Sequence, residues 1–172
     1  MKRFIIAAAF ALVAGAAHAE VVDSATNGFT SRHVVTVALT PQAAYDRFVN
    51  IGTWWDGAHT YSGDARKLTL IPRPGGAWTE ALGGGDFVEH TRVIFAQRGK
   101  TLRFSGCLGP LQQMGVSCVM TATFAAEGAG TKVTFTTTAG GYFPGGAAQI
   151  AAPVDGVLGQ AMARYANTSP PK

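Results

Sequence analysis

Apolar residues recur every three to four positions along residues 148–167, which is the spacing of one face of an α-helix. Pro153 suits the first turn of such a helix, where its missing N–H is not needed, and Asp155 then lies near the positive end of the helix dipole. Gly156 and Gly159 make one flank of the helix thin, which suits either close packing on a sheet or a ligand cavity. We predict that this segment is the long helix around which the chain folds.

The chain before this helix has mainly the pattern of β-strands separated by turns. A first strand, over residues 29–39, leads to a helix that Thr40 caps and Pro41 begins. The aromatic segment 53–61 is then a second short helix or an ordered loop, and six further strands follow it. One curved antiparallel sheet of about seven strands cannot cover its own apolar face, so the long helix must lie across it. The predicted class is therefore α+β, with two short helices after the first strand.

The first nineteen residues have the features of an export signal. Lys2 and Arg3 precede an apolar run, and Ala17-His18-Ala19 matches a small-residue cleavage site before Glu20. The run is shorter than the ~20 apolar residues that a membrane-spanning helix needs. We therefore expect a cleaved signal peptide, a periplasmic or secreted product, and no transmembrane segment in the mature chain. The predicted divisions are a signal peptide at 1–19, a loosely ordered lead at 20–27, one domain at 28–168 and a tail at 169–172.

Charge and motifs exclude several function classes. Removing Lys2 and Arg3 from the 14 basic residues leaves 12 against 10 acidic ones, a net charge of only +2. The basic residues are scattered, so no nucleic-acid footprint is present. The sequence contains no P-loop, dinucleotide fingerprint or nucleophile elbow. The histidines fall on separate elements without metal-ligand spacing. We expect a monomer without cofactor or metal.

Two groups of polar residues are candidates for chemistry. In the first, His59 and Tyr61 could supply a titratable group beside a hydrogen-bond donor. The alternative is that the neighbouring tryptophans plug the open end of the sheet while nearby aspartates cap turns. The members of this group are Trp54, Trp55, Asp56, His59, Tyr61 and Asp64.

The second group lies on consecutive strands, with Glu80 as a further candidate catalytic residue. Strict alternation would place Glu89 on one sheet face and His90 with Arg92 on the other, and either face could line a cavity. A carboxylate that reaches into an apolar pocket would anchor a ligand or act as a perturbed acid. Cross-strand salt bridges on the solvent face are the alternative.

Several short motifs resemble one superfamily. The similarity covers roughly residues 30–165 and is carried by structural turns and strand starts: Thr-Pro-Gln-Ala-Ala-Tyr at 40–45, Trp-Trp at 54–55, Pro-Gly-Gly-Ala-Trp-Thr-Glu at 74–80, Thr-Leu-Arg-Phe-Ser-Gly at 101–106, Leu-Gly-Pro-Leu-Gln at 108–112 and Gly-Thr-Lys-Val-Thr-Phe at 130–135. The chain resembles the START/Bet v 1-like (SRPBCC) superfamily, in a bacterial branch similar to the activators of a chaperone ATPase. This resemblance implies the helix-grip fold, in which the sheet wraps the long C-terminal helix. It also implies a cavity for hydrophobic or amphipathic small molecules, and some members of the superfamily are cyclases or dehydratases.

Three functions remain open on this basis. The leading hypothesis is a binding protein that holds a hydrophobic or amphipathic small molecule between the sheet and the long helix. The rivals are a cyclase, dehydratase or isomerase using the same cavity, and a structural or partner-binding domain with a filled core. The residues expected to line the cavity are apolar: Trp54, Trp55, Leu102, Phe104, Met120, Phe124, Val133, Phe135, Val154, Leu158 and Met162.

The two cysteines of the chain, Cys107 and Cys118, enclose a loop of ten residues. An oxidising compartment favours a disulfide between them, and the chain-entropy model assigns such a closure roughly 3 kcal/mol. Alternation places the two side chains on opposite sheet faces unless a bulge near Gly106 or Gly115 restores the phase. We expect a structural disulfide, which requires a Cα separation of about 4.4–6.8 Å.

Overall fold

The computed structural model describes residues 18–168, so most of the predicted signal peptide and the predicted tail lie outside the described residues. Within this range eight strands form one antiparallel sheet, whose order is β1-β2-β8-β7-β6-β5-β4-β3. The strands are β1 (His18–Ala25), β2 (Gly28–Val37), β3 (Leu68–Leu70), β4 (Ala77–Gly83), β5 (Asp86–Gln97), β6 (Thr101–Ser105), β7 (Gly115–Glu127) and β8 (Gly130–Tyr142), and the helices are α1 (Pro41–Val49) and α2 (Ala148–Asn167).

Helix α2 packs its apolar stripe on one face of the sheet, as the hydrophobic spacing predicts. Met162 and Tyr165 are fully buried in the same cluster as side chains from the central strands. Pro153 was wrongly placed in the first helical turn, because the helix begins five residues earlier and the proline lies inside it. Its missing N–H therefore leaves the Gln149 carbonyl without an i+4 donor. Neither helix in the described part of the chain is long and apolar enough to cross a membrane.

The sheet has one more strand than the sequence predicts. Residues up to Ala25 of the segment expected to be a loose lead belong to β1, whose main chain pairs with β2 from Glu20 opposite Arg32 to Ala25 opposite Gly28. This edge strand was missed because Asp23 and Ser24 are exposed and interrupt any apolar alternation. Its order comes from main-chain pairing with β2 and from packing on α2, where Val21 lies against the hydrophobic cluster that contains Phe29 and Ala151.

The aromatic segment after α1 forms short 3-10 turns instead of a second α-helix. The turns are Ile51–Thr53, Gly57–His59 and Ala65–Lys67. The Asp56 carboxylate accepts a hydrogen bond from the Ala58 N–H at 3.0 Å, and the Asp64 carboxylate accepts one from the Arg66 N–H at 3.0 Å. Both aspartates therefore cap turns, which is the alternative that the sequence left open for them.

A disulfide joins Cys107 and Cys118, with a Cα separation of 5.0 Å that lies within the required range. Strict alternation would place the two cysteine side chains on opposite faces of the sheet. An irregular backbone at Gly106 brings them to the same side. Its φ of +118° is a left-handed value that favours glycine, and a Cβ there would come to 2.9 Å from the His90 carbonyl oxygen. Both cysteines are buried.

A buried polar cluster connects α2 to β2. The Ser31 hydroxyl donates to an Asp155 carboxylate oxygen at 2.5 Å and lies 2.8 Å from Nε2 of His33. The same imidazole nitrogen lies 3.2 Å from Asp155. Burial lowers the pKa of His33, and the nearby Asp155 carboxylate opposes this only in part. The cluster therefore holds a neutral imidazole at neutral pH.

We expect acidification to destabilise the protein partly through His33. Because its pKa is lower in the folded state, the unfolded chain binds more protons, and the free energy of unfolding falls as the pH drops below about 6.5. Replacing His33 with glutamine keeps a hydrogen-bonding side chain and should reduce the loss of stability between about pH 7 and about pH 5. Urea unfolding at several pH values measures this loss. The exposed His59→Gln is the control, and an unchanged pH dependence in His33→Gln would contradict the assignment.

Candidate ligand-binding cavity

A cavity of about 540 Å³ lies between α2, the β3–β5 end of the sheet and the loop that the disulfide closes. A volume of this size is typical of a site for a small organic molecule. The lining residues are mainly apolar or aromatic: Trp55, Ala58, His59, Thr60, Tyr61, Leu68, Trp78, His90, Leu108, Gly109, Pro110, Gln113, Ile150, Pro153, Val154, Val157 and Leu158.

The cavity has a buried apolar interior and a more polar mouth. Trp55, Trp78 and Leu158 are buried, whereas His59 and Tyr61 are exposed at the outer end. An amphipathic molecule would therefore place its apolar body inside and remain hydrated at its outer end. The arrangement combines a large apolar contact surface with a few polar groups that could orient a ligand.

Only part of the expected ligand-contacting set lines this cavity. Trp55, Val154 and Leu158 do so. The others pack against one another in the hydrophobic core: Trp54, Leu102, Phe104, Met120, Phe124, Val133, Phe135 and Met162. Met120 also borders a separate void of about 20 Å³, too small for an organic ligand.

Phe48 of α1 is the reason that the central core is filled. Its ring centroid lies 5.8 Å from that of Phe124 and 5.6 Å from that of Phe135. It also lies 5.1 Å from the Trp54 ring and 5.7 Å from the Tyr165 ring. The free volume therefore lies not under the middle of the sheet but near β3–β5. There, short 3-10 turns rather than α1 lie beside the sheet.

The three predicted catalytic candidates lie close to the cavity, but Glu80 does not line it. Its fully buried carboxylate accepts hydrogen bonds from the Tyr61 N–H at 3.2 Å and the Ser62 N–H at 2.5 Å. A third partner is Nε2 of His90, at 3.0 Å. Glu80 thus holds the segment that carries Tyr61 against the sheet. His59 lies on the rim and contributes its carbonyl, which accepts from the Trp55 indole N–H at 3.0 Å.

His90 lines the cavity because of a β-bulge. Trp78 pairs with Thr91 and Thr79 pairs with Glu89, so His90 is an extra residue in β5. Bulges break the alternation of side chains and re-aim one of them. The alternation argument, which grouped His90 with Arg92, was therefore wrong at this position. His90 is buried, while Arg92 is exposed and pairs with Glu89 at 2.8 Å.

The Glu80–His90 pair combines a carboxylate with a neutral imidazole. Burial raises the pKa of Glu80, but the hydrogen bonds from Ser62, Tyr61 and His90 outweigh it and hold that pKa below its usual value. Burial lowers the pKa of His90, and the interaction with Glu80 opposes this only in part. An ionised carboxylate only accepts hydrogen bonds, so the imidazole proton lies on Nε2. The other ring nitrogen, Nδ1, has no hydrogen-bond partner among residues 18–168.

Gln112 ties the disulfide-closed loop to the bulge. Its amide nitrogen donates to the Glu89 carbonyl at 3.0 Å, and its amide oxygen accepts from the Tyr61 hydroxyl at 3.3 Å. This connects the disulfide-closed loop, β5 and the mouth of the cavity. No group of three or more His, Cys, Asp or Glu side chains in the described range is placed to hold a metal ion.

Sequence reasoning missed several lining residues, including Leu68, Trp78, Leu108, Ile150 and Val157. The helical spacing did identify the face of α2 that carries Val157. Trp78 lies within the Pro-Gly-Gly-Ala-Trp-Thr-Glu motif, which was interpreted only as a structural turn. The Trp78-Thr79-Glu80 spacing, which places an aromatic ring and a carboxylate on the same face of a strand, was the signal that could have located this wall.

Comparison with known proteins identifies the fold but no family. No protein-family profile and no curated protein matches the chain. Among solved structures, Mll3558 from Rhizobium loti is 20% identical, with a TM-score of 0.55 over 80% of this chain and 96% of its own. Protein CV1439 from Chromobacterium violaceum is 16% identical, with a TM-score of 0.55 over 83% and 98%. CalU16 from Micromonospora echinospora is 11% identical, with a TM-score of 0.59 over 88% and 83%. The chain shares with them an α+β architecture consistent with the helix-grip fold.

Proposed function

We propose that this protein binds a small hydrophobic or amphipathic molecule in the cavity between the sheet and α2. We further propose that it is an exported, monomeric member of the START/Bet v 1-like superfamily. One observation carries the binding proposal: about 540 Å³ of space is lined mainly by apolar and aromatic side chains, beside a densely packed hydrophobic core. Open apolar space of this size in a folded domain is the usual form of a small-molecule site.

The binding proposal predicts that filling the cavity abolishes binding. Val157 of α2 is half-buried and lines the cavity. Val157→Trp should weaken binding of the fluorescent neutral probe anthracenemethanol by at least roughly tenfold, which corresponds to about 1.4 kcal/mol. Fluorescence titration of the purified protein measures the change.

Ala152→Trp is the matched control, because Ala152 is exposed on the same helix and does not line the cavity. It adds the same side chain and should leave the affinity unchanged. Equal probe affinity in wild type and Val157→Trp would place binding elsewhere and contradict the proposal. Absence of any probe binding would favour a structural or partner-binding domain.

A cyclase, dehydratase or isomerase is the second candidate, and the Glu80–His90 pair favours it. A carboxylate that fixes the tautomer of an imidazole in a cavity wall is a common arrangement for proton transfer. Mass spectrometry of a ligand that co-purifies with wild type and with His90→Gln would separate the two functions. An enzyme would leave a ligand that differs chemically between them, whereas a binding protein would carry the same molecule in both.

Export is proposed on the sequence of the first nineteen residues. Cleavage after Ala19 would remove two residues of β1 and leave the main-chain pairs from Glu20 onwards. The intact mass of protein recovered from the periplasm should correspond to a chain that begins at Glu20. Retention of the first nineteen residues would contradict this part of the proposal.

A further inference from the structure

Aromatic rings form one side of the cavity. The Trp55 and Trp78 rings lie 5.0 Å apart at an angle of 87°, so they present two perpendicular walls. The His90 ring lies 6.0 Å from the Trp78 ring and 6.0 Å from the Tyr61 ring. Aromatic faces attract cations through their negative quadrupole, and clusters of such faces are a common binding site for ammonium groups.

A negative charge lies directly behind this aromatic side. The Glu80 carboxylate is fully buried, and its donors are two main-chain N–H groups and the neutral His90 imidazole. Within residues 18–168 the neutral His90 imidazole lies 3.0 Å from this carboxylate, and no Lys or Arg side chain lies within ion-pairing distance of it. No cavity-lining residue is Asp, Glu, Lys or Arg. A buried carboxylate charge therefore lies behind the wall, with no Lys or Arg side chain of the described range paired with it.

His90 transmits this charge to the cavity. Its Nε2–H donates to Glu80, which makes the imidazole ring richer in electrons than a free ring. The ring itself lines the cavity, so a bound cation would lie against it. An anionic group at the same place would lie near a buried carboxylate that no Lys or Arg side chain pairs with, which is unfavourable in a poorly hydrated site.

We infer that the cavity selects a ligand whose apolar body carries an organic cation, a protonated amine or a quaternary ammonium group, next to Trp55, Trp78 and His90. The inference rests on the proposed binding function and narrows its ligand class. It assigns Glu80 as a specificity-determining residue that acts through His90 without touching the ligand.

Three probes that share an anthracene body and carry substituents of different charge test the inference. Anthracenemethanol is neutral, anthracenemethylammonium is cationic and anthracenecarboxylate is anionic, and each is titrated by fluorescence at neutral pH and low salt. The ammonium probe should bind roughly tenfold more tightly than the alcohol, as expected for a desolvated cation–aromatic contact. The carboxylate should bind more weakly than the alcohol. Equal affinity for all three, or preference for the carboxylate, would overturn the inference while leaving the binding function intact. Failure of all three to bind would overturn both.

Variants then assign the selectivity to Glu80. Glu80→Gln retains an acceptor oxygen but removes the charge, so the ratio of ammonium to alcohol affinity should fall to about one. Glu89→Gln is the matched control, because this residue forms a partly exposed ion pair with Arg92 and does not line the cavity. It should keep the wild-type ratio, and an unchanged ratio in Glu80→Gln would overturn the assignment.

A second variant keeps the test decisive if Glu80→Gln does not fold. Gln113 is exposed at the cavity, so Gln113→Arg places a cation there without disturbing the core. The preference should then reverse towards anthracenecarboxylate. Gln97→Arg adds the same charge at an exposed position outside the cavity and should not reverse it. A Gln113→Arg protein that still prefers the ammonium probe over the carboxylate would overturn the inference.

Discussion

Replacing Phe48 with alanine is expected to lower the free energy of unfolding by about 3–5 kcal/mol, the range typical of a buried phenylalanine. The ring is fully buried and lies within 5.8 Å, centroid to centroid, of the Phe124 and Phe135 rings. Removing it would leave a void in the middle of the core, because rigid aromatic neighbours cannot collapse into the space. Urea unfolding measures the loss of stability, and the m-value should stay unchanged.

Phe87→Ala is the matched control for this variant. Phe87 is 67% exposed, so the same truncation there should change the stability by no more than about 0.5 kcal/mol. A cost below about 1 kcal/mol for Phe48→Ala would mean that the centre of the domain is loosely packed. The cavity would then extend under the central strands, as the sequence pattern suggested.

Removing the disulfide is expected to cause a large loss of stability as well. Cys107→Ala combined with Cys118→Ala should destabilise the protein by about 3 kcal/mol, because the unfolded chain regains the entropy of an open loop. The loop also carries Leu108, Gly109 and Pro110, which line the cavity. Affinity for anthracenemethanol should therefore fall together with stability, since part of the site becomes less ordered.

Urea unfolding and probe titration measure both effects, and reducing agent supplies the control. Reduction should lower the stability of the wild type towards that of the double variant and leave the variant unchanged. Equal stability of oxidised and reduced wild type would contradict a structural role for the bond. Retained probe affinity would show that the loop keeps its position without the covalent closure.

Helices α1 and α2 and strand β2 could be predicted because patterns of nearby residues determine them. The apolar spacing of α2 locates its extent and its buried face, although Pro153 suggested a later first turn. The Thr40–Pro41 pair locates the start of α1, where the Thr40 hydroxyl accepts from the Ala43 N–H at 3.3 Å. The strand predicted at 29–39 overlaps β2, whose Val35 and Val37 are buried. These features depend on residues that are close together in the sequence.

The position of the cavity could not be predicted, because it depends on contacts between distant elements. Alternation shows that Phe124 and Phe135 face inwards but not that Phe48 of another element fills the space beside them. The bulge at His90 depends on the register between β4 and β5, which no local pattern specifies. Edge strand β1 was missed for a similar reason, since pairing with β2 and packing against α2 order it.

A crystal structure of the protein with a brominated anthracenemethanol, located by anomalous scattering from bromine, tests the proposed binding function most directly. We expect one strong bromine position inside the cavity, between Trp55 and Leu158, with the hydroxyl group oriented towards the mouth at His59. Bromine peaks only outside the cavity, with the space between the sheet and α2 left empty, would contradict it.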